Sequence, residues 1–125
     1  MRIVLSYQSA VPVYEQIKEQ IKASVLSGAL SENDSLPPIR QLARDLKVSV
    51  ITITRAYKDL ELEGIVQSAP EKGFYIMKVD CKLLRSRLLA QTKESLRAAI
   101  RFGKMAGLSS RKMHSLMDAV EKSTT

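Results

Sequence analysis

Apolar residues recur along the chain at helical spacing in five stretches, interrupted by two short runs that read as strands. In the first stretch, from Val11 to Ser27, positions Val13, Ile17, Ile21, Ala23, Ser24 and Val25 fall mostly three or four apart. Pro12 opens it and Gly28 closes it, which predicts a helix. Ala29 to Ser35 carries Asn33-Asp34 and reads as a polar turn. Pro37-Pro38 then introduce a second helix with Ile39, Leu42, Ala43 and Leu46 on one side. Proline costs little there, because the first N–H groups of a helix have no intrahelical partner. After a short turn, Ser49 is the N-cap of a third helix whose stripe is Ile53, Ala56, Tyr57 and Leu60 and which Gly64 ends. Thr52, Thr54, Arg55 and Lys58 stand outside that stripe. Two helices joined this way, the second presenting hydroxyls and an arginine, form the helix-turn-helix that entry into a DNA major groove requires.

Ile65 to Ser68 and Phe74 to Val79 predict two short strands around a Pro- and Gly-containing loop, Ala69 to Gly73, with Lys72 at its tip. Three helices and a hairpin make a winged helix. Beyond Asp80, Leu84, Leu88, Leu89, Leu96, Ala99, Ile100, Gly103 and Ala106 mark a long helix. Gly107 breaks it, and Met113, Leu116, Met117 and Val120 mark a last helix from Ser109 or Ser110 onward. A helical hairpin cannot bury both apolar stripes within itself, so it packs on the first domain or on another copy of itself, and self-association is the preferred reading. The expected architecture is mainly α with a small β-hairpin: an N-terminal winged helix-turn-helix over 1–79 and a C-terminal two-helix dimerisation hairpin over 80–125. Leu84, Leu88, Leu96, Ile100, Gly103, Met113, Leu116, Met117 and Val120 are its expected contacts with a second copy.

At 125 residues the chain has room for one modest core plus an appendage, which leaves no place for a large sensor domain. No apolar run approaches the ~20 residues that cross a bilayer and no signal peptide is recognisable, so a cytoplasmic protein without membrane partners is expected. Cys81, the single cysteine, allows no internal disulfide. The net charge of +7 favours an anionic partner, but its distribution changes the picture. Residues 1–79 hold ten basic against nine acidic residues, and 80–125 hold ten against four. The winged half is almost neutral, so any case for DNA rests on where particular side chains sit.

The segments Pro12 to Ile17, Leu36 to Ala43, Thr52 to Ile65 and Gly73 to Ile76 resemble the GntR family of bacterial transcription regulators over residues 12–76. The short two-helix tail is similar to the YtrA-like branch, whose members are small homodimers. The resemblance implies a repressor that binds double-stranded DNA as a homodimer on a two-fold operator. By position, it implies that Arg40 contacts phosphate or base, that Thr52 and Arg55 read or clamp DNA, and that Gly73 lets the wing backbone approach the minor groove. Lys47, Ser49, Thr54, Lys58 and Lys72 complete the expected DNA-facing set. The chain departs from the family pattern in the turn, where Lys47 replaces the usual glycine. It departs again at Val50 and Ile51, which can meet thymine methyls but cannot hydrogen-bond a base. In the wing, Glu71 stands for glycine and would repel phosphate, and Phe74 stands for threonine.

No catalytic constellation appears: His114 is the only histidine, and no Cys, Asp or Glu cluster has metal-ligand spacing. An enzyme, a metal site and a cofactor are not expected. Lys93, Arg97, Arg101 and Lys104 line one helical face, either as solvated charge or as a site for an anionic effector. The competing functional reading is a winged helix that docks protein through the same surface.

Overall fold

The computed structural model describes residues 1–124, so Thr125 of the expected tail lies outside the described residues. The chain divides into two compact units, Met1–Cys81 and the segment from Lys82 onward.

In the first unit, α1 (Val13–Ser27), α2 (Ile39–Leu46) and α3 (Val50–Leu62) pack around the stripes that the spacing predicts. Ile17, Ile21, Ile53, Ala56, Tyr57 and Leu60 are fully buried. Ala23 is exposed, so the α1 stripe runs through Ile17, Ile21 and Val25. α1 starts two residues later than expected because Pro12, in an extended conformation, is its cap; the Pro12 carbonyl accepts from the Gln16 N–H at 3.0 Å. Ser49 caps α3 as expected, its Oγ accepting from the Thr52 N–H at 3.1 Å.

The wing is an antiparallel hairpin of β1 (Val66–Ala69) and β2 (Gly73–Ile76), paired from Val66↔Ile76 to Ala69↔Gly73. β1 keeps the expected length but lies one residue later, and β2 starts one residue earlier and ends three residues sooner than predicted. The segment expected as a polar turn does more than connect: Asn33 to Leu36 runs along the free edge of β2, exchanging hydrogen bonds between Asn33, Asp34, Leu36 and the backbone of Phe74 and Ile76 at 2.8–2.9 Å. Tyr57 ties these parts together. Its hydroxyl donates to the Pro37 carbonyl at 2.7 Å, and its ring meets Phe74 edge-on at 5.1 Å. Burial holds the phenol well above its usual pKa, so it stays a neutral donor.

Two non-glycine residues that stand where the family pattern has glycine adopt left-handed backbone: Lys47 at φ 57°, closing α2, and Glu71 at φ 67°, in the wing loop. A left-handed residue with a Cβ costs about 1–2 kcal/mol. Lys47→Gly is therefore expected to raise stability by roughly 0.5–1 kcal/mol, after the greater freedom of glycine in the unfolded chain is discounted. Urea unfolding followed by circular dichroism checks it.

An ion cluster joins α1 to α3. The largely covered Lys18 ammonium meets Glu63 at 2.9 Å, Asp59 at 3.4 Å and Glu15 at 3.5 Å, and Lys22 also pairs with Glu63. Burial opposes the charge on Lys18, but the bond to Glu63 and the surrounding carboxylates outweigh it and hold its pKa above 10.5. Burial likewise raises Glu63, yet Lys22 and Lys18 bring it below 4.5. A lowered carboxylate contributes stability that is present above its unfolded pKa and lost as pH falls through the folded one; a raised lysine contributes stability lost only above 10.5. Melting temperature is expected to fall as pH drops below 4.5, and Glu63→Gln is expected to flatten that limb while lowering the plateau near neutrality.

The second unit holds α4 (Cys81–Met105), apart from its first residue, and α5 (Ser110–Thr124), joined through Gly107 at φ 77°. Ser109 Oγ accepts from the Lys112 N–H at 3.2 Å and caps α5. Gly103 is buried, and a Cβ added there would collide with the Met113 sulfur. Its small size therefore serves α4–α5 packing within the chain. Leu84 is also buried within the single chain.

Candidate nucleic-acid interface

α3 turns its stripe to the core and its other side outward, with Ser49, Val50, Ile51, Arg55 and Lys58 exposed and Thr52 and Thr54 half-buried. Arg40 is exposed at the start of α2, Lys47 in the turn, and Lys72 and Gly73 in the wing. All nine residues expected to face DNA thus belong to one unit and reach its surface from α2, the turn, α3 and the wing.

Their hydrogen bonds divide them. Ser49 and Thr52 share a hydroxyl–hydroxyl bond of 2.9 Å in addition to the capping bond, and Thr54 Oγ1 donates to the Val50 carbonyl at 2.8 Å. These hydroxyls shape the start of α3, which reduces what they can offer outward. Arg55 was expected simply to project from the helix. Its guanidinium lies 3.7 Å from the centroid of the Tyr14 ring, and one N–H donates to Tyr14 Oη at 2.9 Å. The arginine remains exposed but is held in one orientation by a residue of α1, with other N–H groups of its fork left for an anion.

At the far end of α3, Glu61 Oε2 accepts from the Ser68 N–H at 3.1 Å and from Ser68 Oγ at 2.9 Å. Those two bonds lower the Glu61 pKa and couple the end of α3 to β1. Along α1, Gln16 and Gln20 grip an extended N-terminal segment. Gln20 exchanges bonds with the Val4 backbone at 2.7 and 2.9 Å, and Gln16 with Ser6 at 2.8 Å. Neither the Tyr14–Arg55 stack nor this clasp carries a periodic signal. Gln16 is buried and Tyr14 and Gln20 are half-buried, although all three lie outside the apolar stripe of α1.

In the second unit, Leu96, Ile100, Met113, Leu116, Met117 and Val120 line an apolar groove of about 540 Å³ between α4 and α5. Leu96, Ile100, Leu116, Met117 and Val120 are each 45–51% exposed, and Leu88 is half-buried. Lys93, Arg97, Arg101 and Lys104 are all exposed, but Arg97 is engaged by Glu94 at 2.7 Å and the Arg101 guanidinium lies 5.1 Å from the Phe102 ring. Among the described residues no group of His, Cys, Asp and Glu could hold a metal, and no helix is long and apolar enough to cross a membrane.

A trihelical core with a hairpin wing and an outward second helix defines a winged helix-turn-helix regulator. Residues 13–76 match the model of bacterial regulatory proteins of the gntR family. The chain is 34% identical over 112 residues to the HTH-type transcriptional repressor YtrA of Bacillus subtilis, covering 90% of this chain and 86% of the relative. It belongs to the GntR family of bacterial transcription regulators and carries that family's DNA-binding domain. The structure of a transcriptional antiterminator from Listeria monocytogenes EGD-e covers 97% of this chain and 90% of its own, with a TM-score of 0.72 and 29% identity. The DNA-binding domain of AraR in complex with operator ORE1 covers 61% of this chain and 93% of its own, with a TM-score of 0.51 and 26% identity. Some other relatives are much longer, and the match spans only 15% of one of them, the probable rhizopine catabolism regulatory protein MocR of Rhizobium meliloti.

Proposed function

We propose that the chain is a cytoplasmic transcriptional repressor that acts by binding rather than by catalysis, as a homodimer on a two-fold operator. The observation that carries this reading is the outward face of α3, on a unit that also exposes Arg40, Lys47 and Lys72, in a fold whose AraR relative is seen on operator DNA. Arg40, Lys47, Lys58 and Lys72 contact phosphates. Arg55, steadied by Tyr14, clamps a phosphate or a guanine edge at reduced entropic cost because its rotamer is already fixed. Ser49, Thr52 and Thr54 set the helix start against the groove, and the wing approaches through Gly73. The exposed apolar groove of the tail pairs with that of a second copy, which places the two α3 helices on half-sites about one helical turn, or a multiple of it, apart. The basic row of α4 is the place for an anionic effector, with Lys93 and Lys104 as its leading contacts, since Arg97 is engaged by Glu94.

The test is binding of the full chain to duplex DNA from upstream of its own gene, chosen for an inverted repeat, across a salt series. Affinity that falls steeply with salt supports the reading, and Lys47→Gly is expected to reduce the log–log slope by about 1 as one phosphate contact is lost. Absence of DNA binding together with salt-insensitive capture of a protein would transfer the surface to protein docking.

A further inference from the structure

The first two residues of α3 are Val50 and Ile51, and their exposure is unusual for their type. Ile51 is 80% exposed and Val50 38%, whereas Ile53, the one other β-branched aliphatic residue of that helix, is fully buried. β-branched residues gain nothing from helix propensity, and neither side chain serves the core, so the fold gives no reason for them here. The hydroxyl neighbours are committed elsewhere, Ser49 and Thr52 to the cap and to each other and Thr54 to the Val50 carbonyl, while Arg55, stacked on Tyr14 one turn further along, keeps N–H groups for an anion. The outward chemistry at the tip of the helix is therefore chiefly apolar, with cationic Lys47 and Arg40 nearby in sequence to hold phosphates.

In a helix-turn-helix the N-terminal residues of the second helix are the ones that meet base edges. Thymine alone among the four bases presents a methyl group in the major groove. Resting on the operator reading above, we infer that Val50 and Ile51 are specificity-determining residues that select thymine through contact with its 5-methyl group. Sequence choice at those positions comes from shape and desolvation rather than from hydrogen bonds. A guanine or cytosine pair there would lose the methyl contact and leave its hydrogen-bonding groups against a hydrocarbon surface.

The test starts from an operator selected with the full chain from a pool of random duplexes. Thymines are then replaced one at a time by deoxyuridine, which removes only the methyl group. Binding is expected to weaken about fourfold at one or two thymines of each half-site, the worth of burying one methyl, and to be unchanged at the others. Ile51→Ala or Val50→Ala should abolish the penalty at its own thymine while leaving the melting temperature unchanged. If the chain binds its operator but deoxyuridine is neutral at every position, or the penalty persists in both alanine variants, this inference is overturned and operator binding stands. If no duplex is enriched, the operator reading falls and the thymine inference falls with it.

Discussion

Carrying Ile100→Asp and Leu116→Asp together, the chain is expected to sediment as a monomer at micromolar concentration and to bind its operator on the order of a hundredfold more weakly. Both side chains line the groove between α4 and α5 and are nearly half exposed in the single chain. Aspartate is therefore tolerated by the isolated protein, and its far-ultraviolet circular dichroism should not change. In a dimer the same carboxylates would be buried against hydrocarbon without cations to pair them, which disfavours association strongly. The loss of affinity follows from valency: a second half-site already tethered to the first is bound at high effective concentration, and a monomer forfeits that gain. A double variant that keeps the dimer's mass would show that the tail groove faces something other than a second copy.

The two helical units differ in how much of them could be read from the sequence. In the winged unit each helix has a full stripe and a local stop or start signal, such as Ile17 with Ile21, Ile53 with Tyr57 and Leu60, Ser49 before α3 and Gly28 after α1. Periodicity and capping are local, so five helices and the hairpin were legible. What escaped depends on residues far apart in the chain. Nothing in the local pattern marks Lys18, yet it reaches Asp59 and Glu63 across 41 and 45 positions. Tyr14 meets Arg55 across 41. The Asn33 to Leu36 segment pairs with β2 through backbone groups alone, which leave no mark on side-chain pattern. In the tail the stripe was legible but its division was not: Gly103 and Leu84 are buried while Leu96 and Ile100 are exposed, and spacing alone cannot separate the two fates.

The residue on which the winged unit depends most is Tyr57, and Tyr57→Ala is expected to destabilise that unit by about 3–5 kcal/mol. The side chain is wholly buried, so its removal leaves a cavity at the meeting of α3, the Pro37 segment and the wing. It also strips the Pro37 carbonyl of its hydrogen bond and Phe74 of its edge-on neighbour. Small domains hold only about 5–15 kcal/mol in total, so the variant should melt far below the parent and lose operator binding through unfolding. Tyr57→Phe separates the two contributions. It keeps the ring contact with Phe74 and removes only the bond to Pro37, at a cost of roughly 1–2 kcal/mol. The phenylalanine variant should still fold and still bind DNA, because Tyr57 lies in the core and offers nothing to the outer face of α3. Urea unfolding of both variants followed by circular dichroism measures the difference. If Tyr57→Phe costs as much as Tyr57→Ala, the hydroxyl that pins the start of α2 matters more than the packing, and the orientation of α2 against α3 is set chiefly by that one bond.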